Sequence, residues 1–138
     1  MKPSARIVTI VPIVGITAML FLLPPPRWTT MRLAGLVLLI PSLFLLTLAR
    51  LQLGDAFSVT PQATTLITHG LYSRIRNPIY LFGSCVVAGI ILYLEKPWFL
   101  LALIPLLALQ MTRARQESKV LEARFGEDYR QYRSRTRF

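Results

Sequence analysis

Charge is scarce along this chain and acid scarcer still: 16% of the residues are charged, and six acidic residues stand against sixteen basic ones. With 54% of the residues hydrophobic, the composition excludes an ordinary soluble domain. The chain has one cysteine, Cys85, so an internal disulfide is excluded. No cysteine or histidine spacing suggests a metal site, and no metal is expected. Cys85 lies in an apolar stretch between Ser84 and Val86 and reads as a small packing residue. A glycine-rich strand-to-helix fingerprint is missing, as is any alternation of strand and helix patterns that could house one.

Long apolar runs fill the space that charge leaves. Four stretches are almost free of it: Ile7 to Leu23, Met31 to Ala49, Ile79 to Leu94 and Trp98 to Met111. A bilayer core of roughly 30 Å asks for about 20 helical residues, so the last two need interfacial aromatics, thinning or polar flanks to span. The expectation is an all-α, polytopic membrane helical bundle of about four short transmembrane helices, or three with a partial fourth. The first stretch follows Lys2 and Arg6, as a secretory signal would, but Pro24, Pro25, Pro26 and Arg27 follow it where a small-residue cleavage site would stand. It reads as a retained helix. Pro12 and Pro41 fall inside apolar runs, where membrane helices tolerate proline.

Four spans divide the basic residues unevenly. Lys2, Arg6, Arg50, Arg74, Arg76 and the eight of the tail fall on one side, against Arg27, Arg32 and Lys96 on the other. The positive-inside rule then puts both termini and the 50–78 segment in the cytoplasm. A net charge of +10 could suggest nucleic acid, but the basic residues cluster at membrane ends and in a tail carrying Glu117, Glu122, Glu127 and Asp128. The bilayer surface, not nucleic acid, is the partner this favours.

Residues 1–50 read as an N-terminal transmembrane hairpin and 51–138 as the functional core. Between Leu51 and Pro78 the chain turns polar, with Gly54, Asp55, Pro61, Gln62, several threonines, His69 and Gly70, and long structured connections of this kind carry function. Glu95, Lys96 and Pro97 turn the third helix into the fourth, which makes an antiparallel pair; Gly83, Ser84, Ala88 and Gly89 would let that pair approach closely. No glycine or proline interrupts the chain from Leu106 to Phe125, so the fourth helix continues beyond the membrane as a cytoplasmic extension. Ala114, Glu117, Leu121 and Phe125 share one face of it, with Arg113 one turn before Glu117.

Two pieces of sequence carry more than packing explains. One runs from Thr64, Thr65, Leu66 and Ile67 through His69, Gly70, Leu71 and Tyr72 to Arg76, Asn77, Pro78, Ile79 and Tyr80. The other holds Arg113, Glu117, Phe125, Gly126, Glu127, Asp128, Tyr129 and Tyr132. Each has a plain reading. Glu117 and Arg113 could be a helix-surface ion pair worth about 0.2–0.5 kcal/mol, Asn77 a helix cap, Pro78 a first-turn proline, Arg74 and Arg76 topology determinants, and the tyrosines interfacial belt residues. A carboxylate on an apolar stripe nevertheless needs a partner.

Taken together, from about residue 50 onward, these pieces resemble the C-terminal core of the isoprenylcysteine carboxyl methyltransferase family, whose relatives include the phospholipid N-methyltransferases. The resemblance implies a helical membrane enzyme using S-adenosylmethionine at its cytoplasmic side. It implies cofactor contacts from Thr64, Thr65, Leu66, Ile67, Tyr72, Asn77, Pro78, Ile79, Tyr80 and Glu117, and a substrate-facing Arg113. No nucleophilic side chain is required, since carboxylate, thiolate and amine acceptors bring their own lone pair; a sulfonium is suited by aromatic faces and a carboxylate. The acceptor implied is lipidic or lipid-anchored, such as a prenylcysteine carboxylate, with a phospholipid or small molecule as the alternative. A non-enzymatic membrane scaffold keeping the fold, or a binder of lipid surfaces through the basic tail, is the competing class. The chain departs from the family pattern at Asn77, where histidine is common, at Ser118, where a second acid is frequent, and at Phe82, where glycine is usual.

Overall fold

A computed structural model describes residues 3–22, 26–53 and 68–137, and among these the protein is all-helical. Five α-helices follow in order: α1 (Pro3–Leu22), α2 (Thr30–Leu53), α3 (Pro78–Tyr93), α4 (Leu103–Phe125) and α5 (Glu127–Arg135). Short 3-10 turns at Gly70–Ser73 and Pro97–Ala102 lead into α3 and α4. Two continuous helical runs, Thr30–Leu53 and Pro97–Phe125, are long and apolar enough to cross a membrane, whereas α3 and the Ile10–Leu20 part of α1 are shorter. Pro12 and Pro41 sit within α1 and α2, which continue through them.

The packed heart of the bundle is the antiparallel pair α2 and α3. Gly35 and Gly89 make it possible: a Cβ on Gly35 would lie 2.6 Å from the Tyr93 amide nitrogen, and one on Gly89 would lie 2.9 Å from the Leu39 backbone. Leu39 is completely buried and Tyr93 nearly so. For Gly83 and Gly89 this corrects the expectation that the small residues of α3 serve its approach to α4. Gly89 faces α2, and a Cβ on Gly83 would meet nothing within 4 Å. Between α3 and α4 the contact is instead polar, with the Ser84 hydroxyl donating to Gln110 Oε1 at 2.7 Å.

One end of the pair is closed by a buttress of charge. Thr29 caps α2, its hydroxyl accepting from the Arg32 amide at 3.3 Å and its carbonyl from the Leu33 amide at 3.0 Å. The Thr29 hydroxyl also donates to Glu95, and the Arg32 guanidinium bonds the other carboxylate oxygen of Glu95 at 2.8 Å. Arg32 lies 5.8 Å from the centroid of the Tyr93 ring, a cation–π distance. Arg32, Glu95 and Lys96 are therefore together at one end of the hairpin, and Arg50, Arg74 and Arg76 belong to the other.

At that other end the C-terminal tail comes back to the body. Gly126, at φ 57°, ends α4 and turns the chain into α5. Arg137 then pairs with the 74–76 segment: the Arg76 amide donates to the Arg137 carbonyl and the Arg137 amide to the Arg74 carbonyl, each at 2.9 Å. Tyr129 and Tyr132, which the sequence suggests as interfacial aromatics, are buried inside this closure at 0% and 4% exposure.

Candidate functional site

The site grows from the turn that precedes α3. Gly70 holds φ 61°, a left-handed conformation that glycine adopts without penalty. A Cβ there would displace the side-chain amide of Gln52. Gln52 Oε1 accepts from the Leu71 amide at 2.8 Å, tying the last turn of α2 to the 3-10 turn. Tyr72 is thereby rolled inward and buried.

Pro78 then starts α3, its fixed φ suited to the first helical position and its missing N–H costing no bond there. It is fully buried. Asn77 occupies the capping position, and its carbonyl accepts from the Leu81 amide at 3.2 Å, but its side chain makes no capping bond. The cap suggested by the sequence is therefore backbone only. Ile79 and Tyr80 are half-buried in the first turn.

From α4 comes the partner. Ala114, Glu117, Leu121 and Phe125 form the half-buried stripe that their spacing suggests, while Arg115, Gln116, Lys119, Ala123 and Arg124 are exposed. The Tyr80 hydroxyl donates to Glu117 Oε1. This bond joins the two pieces of sequence, 37 residues apart. Arg113, half-buried one turn earlier, is close enough for its charge to act on Tyr80.

The electrostatics are those of a partly buried polar cluster. The Tyr72 hydroxyl is held well above the usual phenol range, first by burial, then by Tyr132 and Glu117, with Arg50 opposing. Tyr132 is pushed up to about 12 by burial and by Tyr129, with Arg76 opposing. Both remain protonated hydrogen-bond donors at neutral pH. Tyr72, Tyr80, Glu117, Tyr132, Arg50 and Arg76 are thus one neighbourhood at a single end of the bundle.

Of the residues expected at a site, the structure brings Tyr72, Asn77, Pro78, Ile79, Tyr80, Arg113 and Glu117 to this end. Thr64, Thr65, Leu66 and Ile67 lie outside the described residues. Sequence reasoning passed over Gln52, counted Arg50 only in the charge balance, and quoted Arg76 in the resemblance without giving it a role at the site. Nothing in the sequence marks Gln52, since its role arises where α2 meets a turn 19 residues away. Tyr129 and Tyr132 carried a usable signal, three residues apart on one face of a short helix.

A helical membrane protein with a carboxylate bound to tyrosine at one bundle end is the class that fold and site define. The family model for phospholipid methyltransferase matches residues 29–128, well over half of the chain, and the protein belongs to that family of membrane methyltransferases. The match starts at the cap of α2 and so takes in the whole α2–α3 pair. It is this related family, and not the isoprenylcysteine one, that the comparison supports. No curated protein and no solved structure matches the chain.

Proposed function

We propose that the protein transfers a methyl group from S-adenosylmethionine to a lipidic acceptor at the cytoplasmic membrane face. The observation that carries this reading is the bond from Tyr80 to Glu117, which unites the two sequence pieces at one end of the bundle. The chemistry of the residues fits the donor. A carboxylate and two tyrosine rings suit a sulfonium cation, and Glu117 keeps free lone pairs for hydroxyl donors after accepting from Tyr80. Tyr72, the Asn77 to Tyr80 turn and Glu117 are the residues assigned to it, with Thr64 to Ile67 joining them through the family resemblance. Bound S-adenosylmethionine would supply the electrophilic methyl. The chain's part is to align acceptor and donor and to exclude water, where positioning contributes most.

Arg113, one turn from Glu117, is assigned to the anionic part of the acceptor, as a guanidinium suits carboxylate or phosphate. Family membership favours a phospholipid amine, while the residue pieces resemble those of enzymes acting on prenylcysteine carboxylates. In the bilayer, α1, α2, α3 and α4 make four spans, with both termini and the Tyr72–Glu117 end cytoplasmic; α1 and α3 reach across with their flanks.

The test is methyl transfer by purified protein from labelled S-adenosylmethionine to defined phospholipids and prenylcysteines, with donor affinity measured for Glu117→Gln. The variant should bind the donor at least tenfold more weakly, about 1.4 kcal/mol, while its unfolding temperature stays close to that of the parent. Unchanged donor affinity would return Glu117 to a helix-surface pair with Arg113.

A further inference from the structure

Three buried donors under the C-terminal tail have no acceptor. Among the described residues, Arg76 Nε, Tyr129 Oη and Tyr132 Oη, like Arg32 Nε at the opposite end of the bundle, are enclosed side-chain atoms with no hydrogen-bond partner. Native interiors leave few such groups unbonded, because burying a donor without an acceptor forfeits the bonds it made to water. Three in one neighbourhood therefore call for a common explanation.

That they share a neighbourhood follows from the tail closure. The Arg76 backbone amide donates a hydrogen bond to the Arg137 carbonyl at 2.9 Å, which holds this segment against the tail. The rings of Tyr129 and Tyr132 are 6.2 Å apart, centroid to centroid, on the α5 face that buries them. Tyr132 is near enough to feel the charge of Arg76 on one side and to act on Tyr72 on the other. Arg50 adds a second positive charge beside Tyr72. Glu117, the nearby carboxylate, is engaged by Tyr80.

The cluster is therefore rich in donors and in positive charge. A neutral ligand would satisfy the donors and leave the charge; an anion satisfies both. A guanidinium Nε and two phenol hydroxyls are well suited to oxygen lone pairs, and charge-assisted bonds of this kind are the strong ones.

We propose that Arg76, Tyr129 and Tyr132 form an oxyanion site beneath the C-terminal tail, taking a carboxylate or a phosphate. Which of the two it takes rests on the methyltransferase reading: the amino-acid carboxylate of the donor, or the phosphate of a phospholipid acceptor. The site itself does not rest on that reading.

The experiment uses the full chain in detergent, with inorganic phosphate and acetate as probes and chloride as the control. Tyr129→Phe/Tyr132→Phe removes two hydroxyls and nothing else. Without anion, the double variant should unfold at the parental temperature or above it, since neither hydroxyl has a bond to lose. Its affinity for the better probe should fall at least tenfold. A lower unfolding temperature without anion would show that the hydroxyls are already satisfied, and parental affinity would show that they touch no anion. Either result overturns the site.

Two further arms separate the sources. If the carboxylate is bound, the double variant loses at least tenfold in affinity for S-adenosylmethionine but not for its decarboxylated analogue. If the phosphate is bound, donor affinity is unchanged and KM for a phospholipid acceptor rises at least tenfold. Failure of the parent protein to bind S-adenosylmethionine would remove the methyltransferase reading and leave the inorganic-anion measurement to decide the site.

Discussion

Glu95 occupies the left-handed region at φ 57°, a conformation that disfavours side chains other than glycine. The backbone there is a Schellman turn: the Glu95 amide donates to the Leu92 carbonyl at 3.0 Å and the Lys96 amide to the Ile91 carbonyl at 3.3 Å. Glycine would make this turn with less strain. Glutamate brings instead a carboxylate that ties the end of α3 to the cap of α2 through Thr29 and Arg32. Those bonds, the Thr29 hydroxyl first and then the Arg32 guanidinium, hold its carboxyl below the usual glutamate range. A depressed folded value means that the stabilisation is fully present above the ordinary glutamate pKa of about 4.3. It is lost as pH falls through the lower folded value. Thermal unfolding followed downward from pH 7 should therefore show a steeper acid loss for the parent protein than for Glu95→Gln. Parallel curves would mean that the buttress does not couple to folding.

Among the elements, closeness and chemistry are divided between two helix pairs. α2 and α3 touch backbone to backbone through Gly35 and Gly89, while α3 and α4 meet through polar bonds, Ser84 to Gln110 and Tyr80 to Glu117. Gly83 and Gly89 are six residues apart, which turns them about 240° around the helix, so one glycine can face α2 while the other does not. Alanine at the two positions should accordingly differ. Gly89→Ala forces a methyl against the Leu39 backbone at 2.9 Å, and overpacking of that kind costs about 1–3 kcal/mol. Gly83→Ala meets open space and should leave stability unchanged or raise it slightly. Denaturant titration in detergent compares the two; equal losses would show that α2 and α3 do not pack as described.

Over the whole molecule, charge is sorted to the two ends of the bundle. Arg32, Glu95 and Lys96 mark one end, and the other gathers Arg50, Arg74, Arg76 and the tail that closes on them through Arg137. The larger basic set should face the cytoplasm. Reporter fusions or cysteine labelling should find both termini on the cytoplasmic side and residues 27 and 96 on the other. Labelling of Arg27→Cys from the same side as the C-terminus would invert or remove the four-span arrangement, and with it the cytoplasmic position of the Tyr72 and Glu117 end.

The membrane class was legible from composition, because few charges and long apolar runs exclude a water-facing fold whatever the contacts. The cores of α2 and α3, and the unbroken run of α4 to Phe125, were legible from local pattern. Proline at the start of α3 and glycine after α4 act on the backbone beside them, and Glu117 shares a stripe with Leu121 whatever that stripe meets. Local rules of this kind stop at the surface of each helix. That Gly89 would meet Leu39 and not α4, that Gln52 would hold the turn before Tyr72, and that Tyr129 and Tyr132 would be enclosed and not interfacial depend on rotations and approaches between distant segments. A small residue shows that something can come close but not which helix does, and a tyrosine suits an interface and an interior alike. Those choices were made when α2 packed on α3 and Arg137 returned to the 74–76 segment, since only then does each side chain have neighbours to compete for it.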